Sequence, residues 1–82
     1  MNKKRLKELS GIYFKLEVLR DELGVLISAE EDALSNMPES LQDSDKGSTM
    51  QDGIDGLNNA VGYIEDAIGE LDFFEIVPIK KQ

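Results

Sequence analysis

The chain contains no cysteine, no histidine and no tryptophan, and only two prolines. Without cysteine there is no disulfide framework, no thiol nucleophile and no zinc-thiolate site. Without histidine the commonest general base at neutral pH is missing. Long apolar runs are missing too. Between Leu6 and Ile27 the chain never stays apolar for more than three positions, glycine not counted. A bilayer span needs roughly 20 apolar residues. A secretory leader needs a continuous apolar run after its basic start, and Met1 to Lys7 has none behind it. The expectation is a cytoplasmic chain with no membrane contact. Positive charge is scarce: 9 Lys or Arg stand against 17 Asp or Glu, a net charge of -8.

What is present is helical periodicity. Leu9, Ile12, Leu16, Leu19, Leu23 and Leu26 are spaced 3, 4, 3, 4, 3, which is helix spacing of the coiled-coil type and not strand alternation. Ala33 and Met37 extend the stripe, and Tyr13, Ile27 and Leu34 form a second one beside it. The combined face is wider than a two-stranded seam needs and suits a bundle. Glu30 falls on the main stripe, where the seam should open to solvent. Gly11 and Gly24 cost about 1 kcal/mol each relative to alanine, but the apolar period crosses both without a phase change.

Pro38 breaks the pattern, because it lacks an N–H and biases Met37 away from helical backbone. Ser35 or Asn36 is expected to cap a short turn, with Pro38 and Glu39 in its first positions. Leu41 is expected to tuck against the end of the bundle, with Gln42 to Gly47 as loop. Ser48 with Gln51, or Thr49 with Asp52, has the spacing of a reciprocal helix cap. Ile54, Leu57, Val61, Ile64, Ile68 and Leu71 then repeat the 3, 4, 3, 4, 3 spacing, with Met50 before them and Ala60, Ala67 and Phe74 alongside. Gly53, Gly56, Gly62 and Gly69 cost this helix about 3 to 4 kcal/mol in propensity, which packing must offset. Gly62 and Gly69 lie on one side, where another helix could approach closely.

These signals predict an all-α single domain over 1–82: a helix at about 3–35, a linker at 36–48 with a short turn at 38–42, a helix at 49–74, and a frayed tail at 75–82. The architecture expected is an antiparallel helical hairpin. One hairpin would leave Tyr13, Ile27, Leu34, Ala60, Ala67 and Phe74 exposed, so pairing into a homodimeric four-helix bundle is expected. The candidate dimer core is Leu9, Ile12, Tyr13, Leu16, Leu19, Leu23, Leu26, Ile27 and Leu34 of the first helix. The second contributes Ile54, Leu57, Val61, Ile64, Ile68, Leu71 and Phe74.

Charge is segregated. Residues 1–20 hold six cations against two acids, residues 21–75 hold Lys46 against fifteen acids, and the tail adds Lys80 and Lys81. A hairpin would therefore have a basic pole at its termini, led by Lys3, Lys4 and Arg5, and an acidic body. Acidic surface favours basic partners and disfavours non-specific contact with nucleic acid. Asp43, Asp45, Asp52, Asp55, Glu65, Asp66, Glu70 and Asp72 are the acidic candidates. Tyr63 and Phe73 point away from the apolar stripe, so Asp55, Tyr63, Asp66, Glu70 and Phe73 form the candidate partner surface.

Catalytic constellations are not visible. Glu30, Glu31 and Asp32 cannot all converge from one helix, and a di-metal bundle would add histidines. Asp43, Asp45 and Gly47 resemble the start of a calcium loop, but Gly47 occupies a ligand position and Ile54 stands where the final Glu belongs. No enzyme activity, metal or cofactor is expected.

The segment Glu30-Glu31-Asp32-Ala33-Leu34-Ser35-Asn36-Met37-Pro38-Glu39-Ser40-Leu41-Gln42-Asp43-Ser44-Asp45-Lys46-Gly47 resembles small acidic helical proteins of bacteriophages and mobile elements of Gram-positive bacteria. Those proteins look like a leucine-patterned helix, an Asn-Met-Pro-Glu-Ser-Leu-Gln linker and an acidic helix. Leu34 stands where they carry an aromatic residue. The resemblance implies a phage or prophage setting in a bacterial host cytoplasm, and no settled activity. It also favours an inhibitor of a host protein. The function expected is a non-catalytic acidic interaction protein that pairs with itself and with a basic protein partner. The alternatives are a nucleic-acid accessory protein working through the basic pole, and a small-ligand sponge with its pocket between protomers.

Overall fold

The computed structural model describes residues 1–74 of the 82; the expected tail at 75–82 lies outside the described residues. The described residues are helical with no strand. Helix α1 spans Lys3–Ser35, α2 is the single turn Glu39–Gln42, and α3 spans Asp45–Leu71. A 3-10 turn, Asp72–Phe74, follows α3. None of these helices is long and apolar enough to cross a membrane.

Helix α1 starts because the Asn2 side-chain oxygen accepts from the Arg5 N–H at 2.8 Å, satisfying one of the orphan donors of the first turn. It runs through both Gly11 and Gly24. It stops at Asn36, whose N–H still reaches the Asp32 carbonyl at 3.0 Å. Pro38, with ψ 147, turns the chain out of the helix. The linker then closes on itself: Leu41 N–H and Gln42 N–H both donate to the Pro38 carbonyl, at 2.9 and 3.0 Å. The Gln42 side-chain amide donates to the Met37 carbonyl at 2.8 Å. The Asn-Met-Pro-Glu-Ser-Leu-Gln stretch is thus a hydrogen-bonded clasp between two long helices.

Several local expectations are corrected here. Neither Ser35 nor Asn36 caps the short turn: Asn36 ends α1, and Pro38 precedes α2 with no side-chain cap. Leu41 does not tuck in; it is exposed. The second long helix starts at Asp45, not at 49, and Ser44 occupies its N-cap position. The Ser44 hydroxyl donates back to the Leu41 carbonyl instead of capping α3. The difference lies in how the linker packs on itself. The end of α2 sits directly on the first turn of α3 at Gly47, which is buried. A Cβ at Gly47 would lie 2.6 Å from the Gln42 carbonyl carbon and 2.7 Å from its Cα. That close approach ties the end of α2 to the first turn of α3, and 45–48 are helical ahead of the Ser48 and Thr49 cap signals.

Helix α3 folds back along α1, and the Tyr13 hydroxyl meets the Asp72 carboxylate 59 positions away. The core is thin. Among the described residues, Ile27, Ile54 and Ile68 are the buried apolar side chains. Leu9, Tyr13, Leu16, Leu23, Leu34, Leu57, Val61, Ile64, Leu71 and Phe74 are half-buried around them. Ser10 is buried as well, with its hydroxyl donating to the Leu6 carbonyl at 3.1 Å. The hairpin is elongated, 58 × 25 × 13 Å, with a radius of gyration of 17.6 Å; a compact chain of this length would have about 12 Å.

The apolar stripes of α1 divide differently from the expectation. Ile27 of the flanking stripe is buried, and Tyr13 and Leu34 are half-buried, as are Ala60, Ala67 and Phe74 on the other side. Ile12, Leu19 and Leu26 of the main stripe are exposed. One helix covers only part of a wide apolar arc. Here α3 covers the edge carrying Leu9, Leu16, Leu23 and Ile27 and leaves the other edge open. Gly62 and Gly69 are not points of close approach within the hairpin, since a Cβ at either meets nothing within 4 Å.

Candidate functional site

The candidate partner surface lies on α3 and the turn after it. Tyr63, Asp66, Glu70 and Phe73 are spaced 3, 4, 3, so they share one helix side, and Asp52 and Asp55 continue it toward the N-terminus. The side opposite carries Ile54, Val61 and Ile68, which face α1. The shared side is therefore outward. All of these outward residues are exposed, with Tyr63 at 73% and Phe73 at 82%. The Phe73 ring stands edge-on to Phe74 at 5.2 Å, a favourable aromatic geometry that fixes its base while leaving its face open. Residues 47–74 contain six acids and no Lys or Arg. The outward side is thus uniformly negative, with two large apolar faces set into it. Asp55 is held by the Gln51 side-chain amide at 3.0 Å.

The basic pole is exposed as well. Lys3, Lys4 and Arg5 occupy the first turn of α1, where the positive end of the helix dipole disfavours cations. No ion pair among the described residues ties them down; the pair formed is Arg20 with Asp21 at 3.2 Å. Lys80 and Lys81, expected to join this pole, lie outside the described residues.

At the same end, Tyr13 donates a 2.8 Å hydrogen bond to Asp72. This bond, then burial and the negative charges of Asp72 and Glu17, hold the Tyr13 hydroxyl above its ordinary value of 10.0, with Arg20 opposing. The neutral phenol is the form that bonds. Its contribution is complete below the pKa of unfolded tyrosine and is lost as pH rises through the higher folded pKa. Tyr13→Phe should accordingly remove part of the alkaline loss of stability. The check is denaturant unfolding from neutral pH upward. Identical alkaline profiles for the two chains would show that the Tyr13–Asp72 bond plays no part.

The exposed edge of α1 is a surface that periodicity alone did not single out. Ile12, Leu19 and Leu26 run along it, seven apart, with 49, 49 and 55% exposure. Val18 and Val25 run parallel to them at 36 and 70%. Lys15 and Glu22 stand between the two lines, both exposed, and with Phe14, Val18 and Leu19 they rim a shallow depression of about 320 Å3. Val18, Val25, Lys15 and Glu22 were missed by the sequence reading. Their shared seven-residue spacing is the signal that could have found them.

Among the described residues no group of three Asp or Glu side chains is placed to hold a metal ion. Glu30, Glu31 and Asp32 are exposed on α1. Asp45 and Gly47 lie in helix rather than in a loop. No family model matches the chain, no curated protein matches it, and no solved structure matches it.

Proposed function

We propose that this chain is a non-catalytic helical interaction protein that pairs with itself and presents the outward side of α3 to a basic protein partner. The observation that carries the reading is the placement of exposed Tyr63 and Phe73 among Asp55, Asp66 and Glu70, on a helix side without a cation. Exposed aromatic side chains are the kind enriched at binding hot spots, and the rim around such anchors is polar. The carboxylates steer a basic partner to the face, and the rings supply contact area once it arrives. Self-association as a homodimeric four-helix bundle is supported by the thin core and the apolar edge left open on α1. The resemblance of the linker favours a phage or mobile-element setting, in which a host protein of the bacterial cytoplasm would be the partner.

The test is recovery of the partner from the host by the intact chain and by two variants. Asp66→Lys combined with Glu70→Lys should weaken binding at least about tenfold, as reversal of complementary interface charge does. The Lys3→Glu, Lys4→Glu, Arg5→Glu chain should retain the partner. The opposite pattern, with nucleic acid recovered and lost on reversing the basic pole, would move the function to the other end of the molecule. Equal recovery by all three chains would remove α3 as the binding face.

A further inference from the structure

We propose that a second copy of this chain docks on the exposed edge of α1, antiparallel to it, about a two-fold axis passing midway between Val18 and Leu19. The inference rests on the self-association in the reading above and adds the face, direction and register of the pairing.

The face is already apolar and open. Five large aliphatic side chains, Ile12, Val18, Leu19, Val25 and Leu26, each expose a third or more of their surface along one side of α1.

The charge pattern selects the second copy and its direction. Lys15 and Glu22 are the charged residues in the middle of this face, of opposite sign, and equally far from the midpoint between Val18 and Leu19. An antiparallel two-fold sets Lys15 of each copy against Glu22 of the other, so the ion pair forms twice. It sets Ile12 against Leu26 of the second copy, and Val18 and Leu19 each against their own counterparts. The small Gly11 then lies against Val25. At the ends, the Lys3, Lys4, Arg5 and Lys7 turns of one α1 lie beside Glu30, Glu31 and Asp32 of the other. A parallel pair would instead oppose Lys15 to Lys15, Glu22 to Glu22, and the two basic first turns to each other. The antiparallel pair places both α1 helices inside a four-helix assembly and both acidic α3 helices outside, where their outward sides stay free.

The test uses the whole chain, light-scattering mass over a concentration series, and three variants at exposed positions. The expected mass is twice 9.1 kDa. Lys15→Glu should weaken dimerisation roughly tenfold, because each substitution turns two attractive contacts into two repulsive ones. Glu22→Lys should do the same. The double variant, Lys15→Glu with Glu22→Lys, should recover the affinity of the original chain. Circular dichroism should show all three equally helical. In a parallel pair the singles would merely exchange one like-charge contact for another, so neither would weaken it. A dimer insensitive to both single reversals, or one the double variant fails to restore, overturns this seam while leaving self-association standing. A chain that stays monomeric at every concentration overturns both.

Discussion

Gly47→Ala should destabilise the protein by about 1–3 kcal/mol, the cost of forcing a methyl into a filled site. On propensity alone the same change should stabilise a helix by about 1 kcal/mol. The sign is decided by the neighbour. A Cβ at Gly47 runs into the carbonyl group and Cα of Gln42. Those are main-chain atoms, held by the Pro38 carbonyl and by the Gln42 side chain on Met37. A flexible side chain could swing aside, whereas this backbone moves only if the clasp opens. Gly69→Ala is the control: its Cβ would meet nothing within 4 Å, so the propensity gain of about 1 kcal/mol should appear undiminished. Urea unfolding at fixed chain concentration measures both. If Gly47→Ala proves as stable as Gly69→Ala, α2 does not rest on the first turn of α3.

Ile54→Ala should have the largest effect of any single truncation in the described core. Ile54 is 3% exposed, less than either Ile27 or Ile68. Removing a buried aliphatic side chain costs about 2–5 kcal/mol, from lost transfer energy and from the cavity that remains. A chain of this size is stabilised by only about 4–12 kcal/mol in total. Each kcal/mol lowers the melting temperature by about 4–8 °C in a domain of this class, so a fall of roughly 10–20 °C or more is expected in a thermal scan. Leu26→Ala should cost the isolated hairpin little, because Leu26 is 55% exposed. Any larger loss at Leu26 would have to come from the pairing of chains and would grow with protein concentration. Equal losses at the two positions in dilute solution would reverse the assignment of inside and outside on α1.

Much of this architecture was legible in the order of residues, for reasons that are local. The spacing of Leu9 to Leu26 and of Ile54 to Leu71 matches the helix repeat, and that repeat comes from hydrogen bonds four residues apart. Pro38 breaks the helix wherever it is put, because its ring fixes φ and its nitrogen carries no donor. Exposure of Tyr63, Asp66, Glu70 and Phe73 follows from the same period, since they oppose the apolar side of α3.

Two features depended on contacts between distant segments, and one on packing inside the linker. Ser48 and Thr49 carry good cap spacing, yet α3 begins at Asp45. A cap competes within one turn, while the seat of the Gln42 backbone on Gly47 joins two successive helices. The hydrogen bond from Tyr13 to Asp72 joins residues whose neighbours along the chain say nothing of each other. Ile12, Leu19 and Leu26 carry the same leucine-type pattern as Leu9, Leu16 and Leu23, and nothing in their spacing ranks one line above the other. The apolar arc of α1 is wider than one helix can cover. Which edge is buried and which is left for another surface was settled by where the clasp sets α3 down.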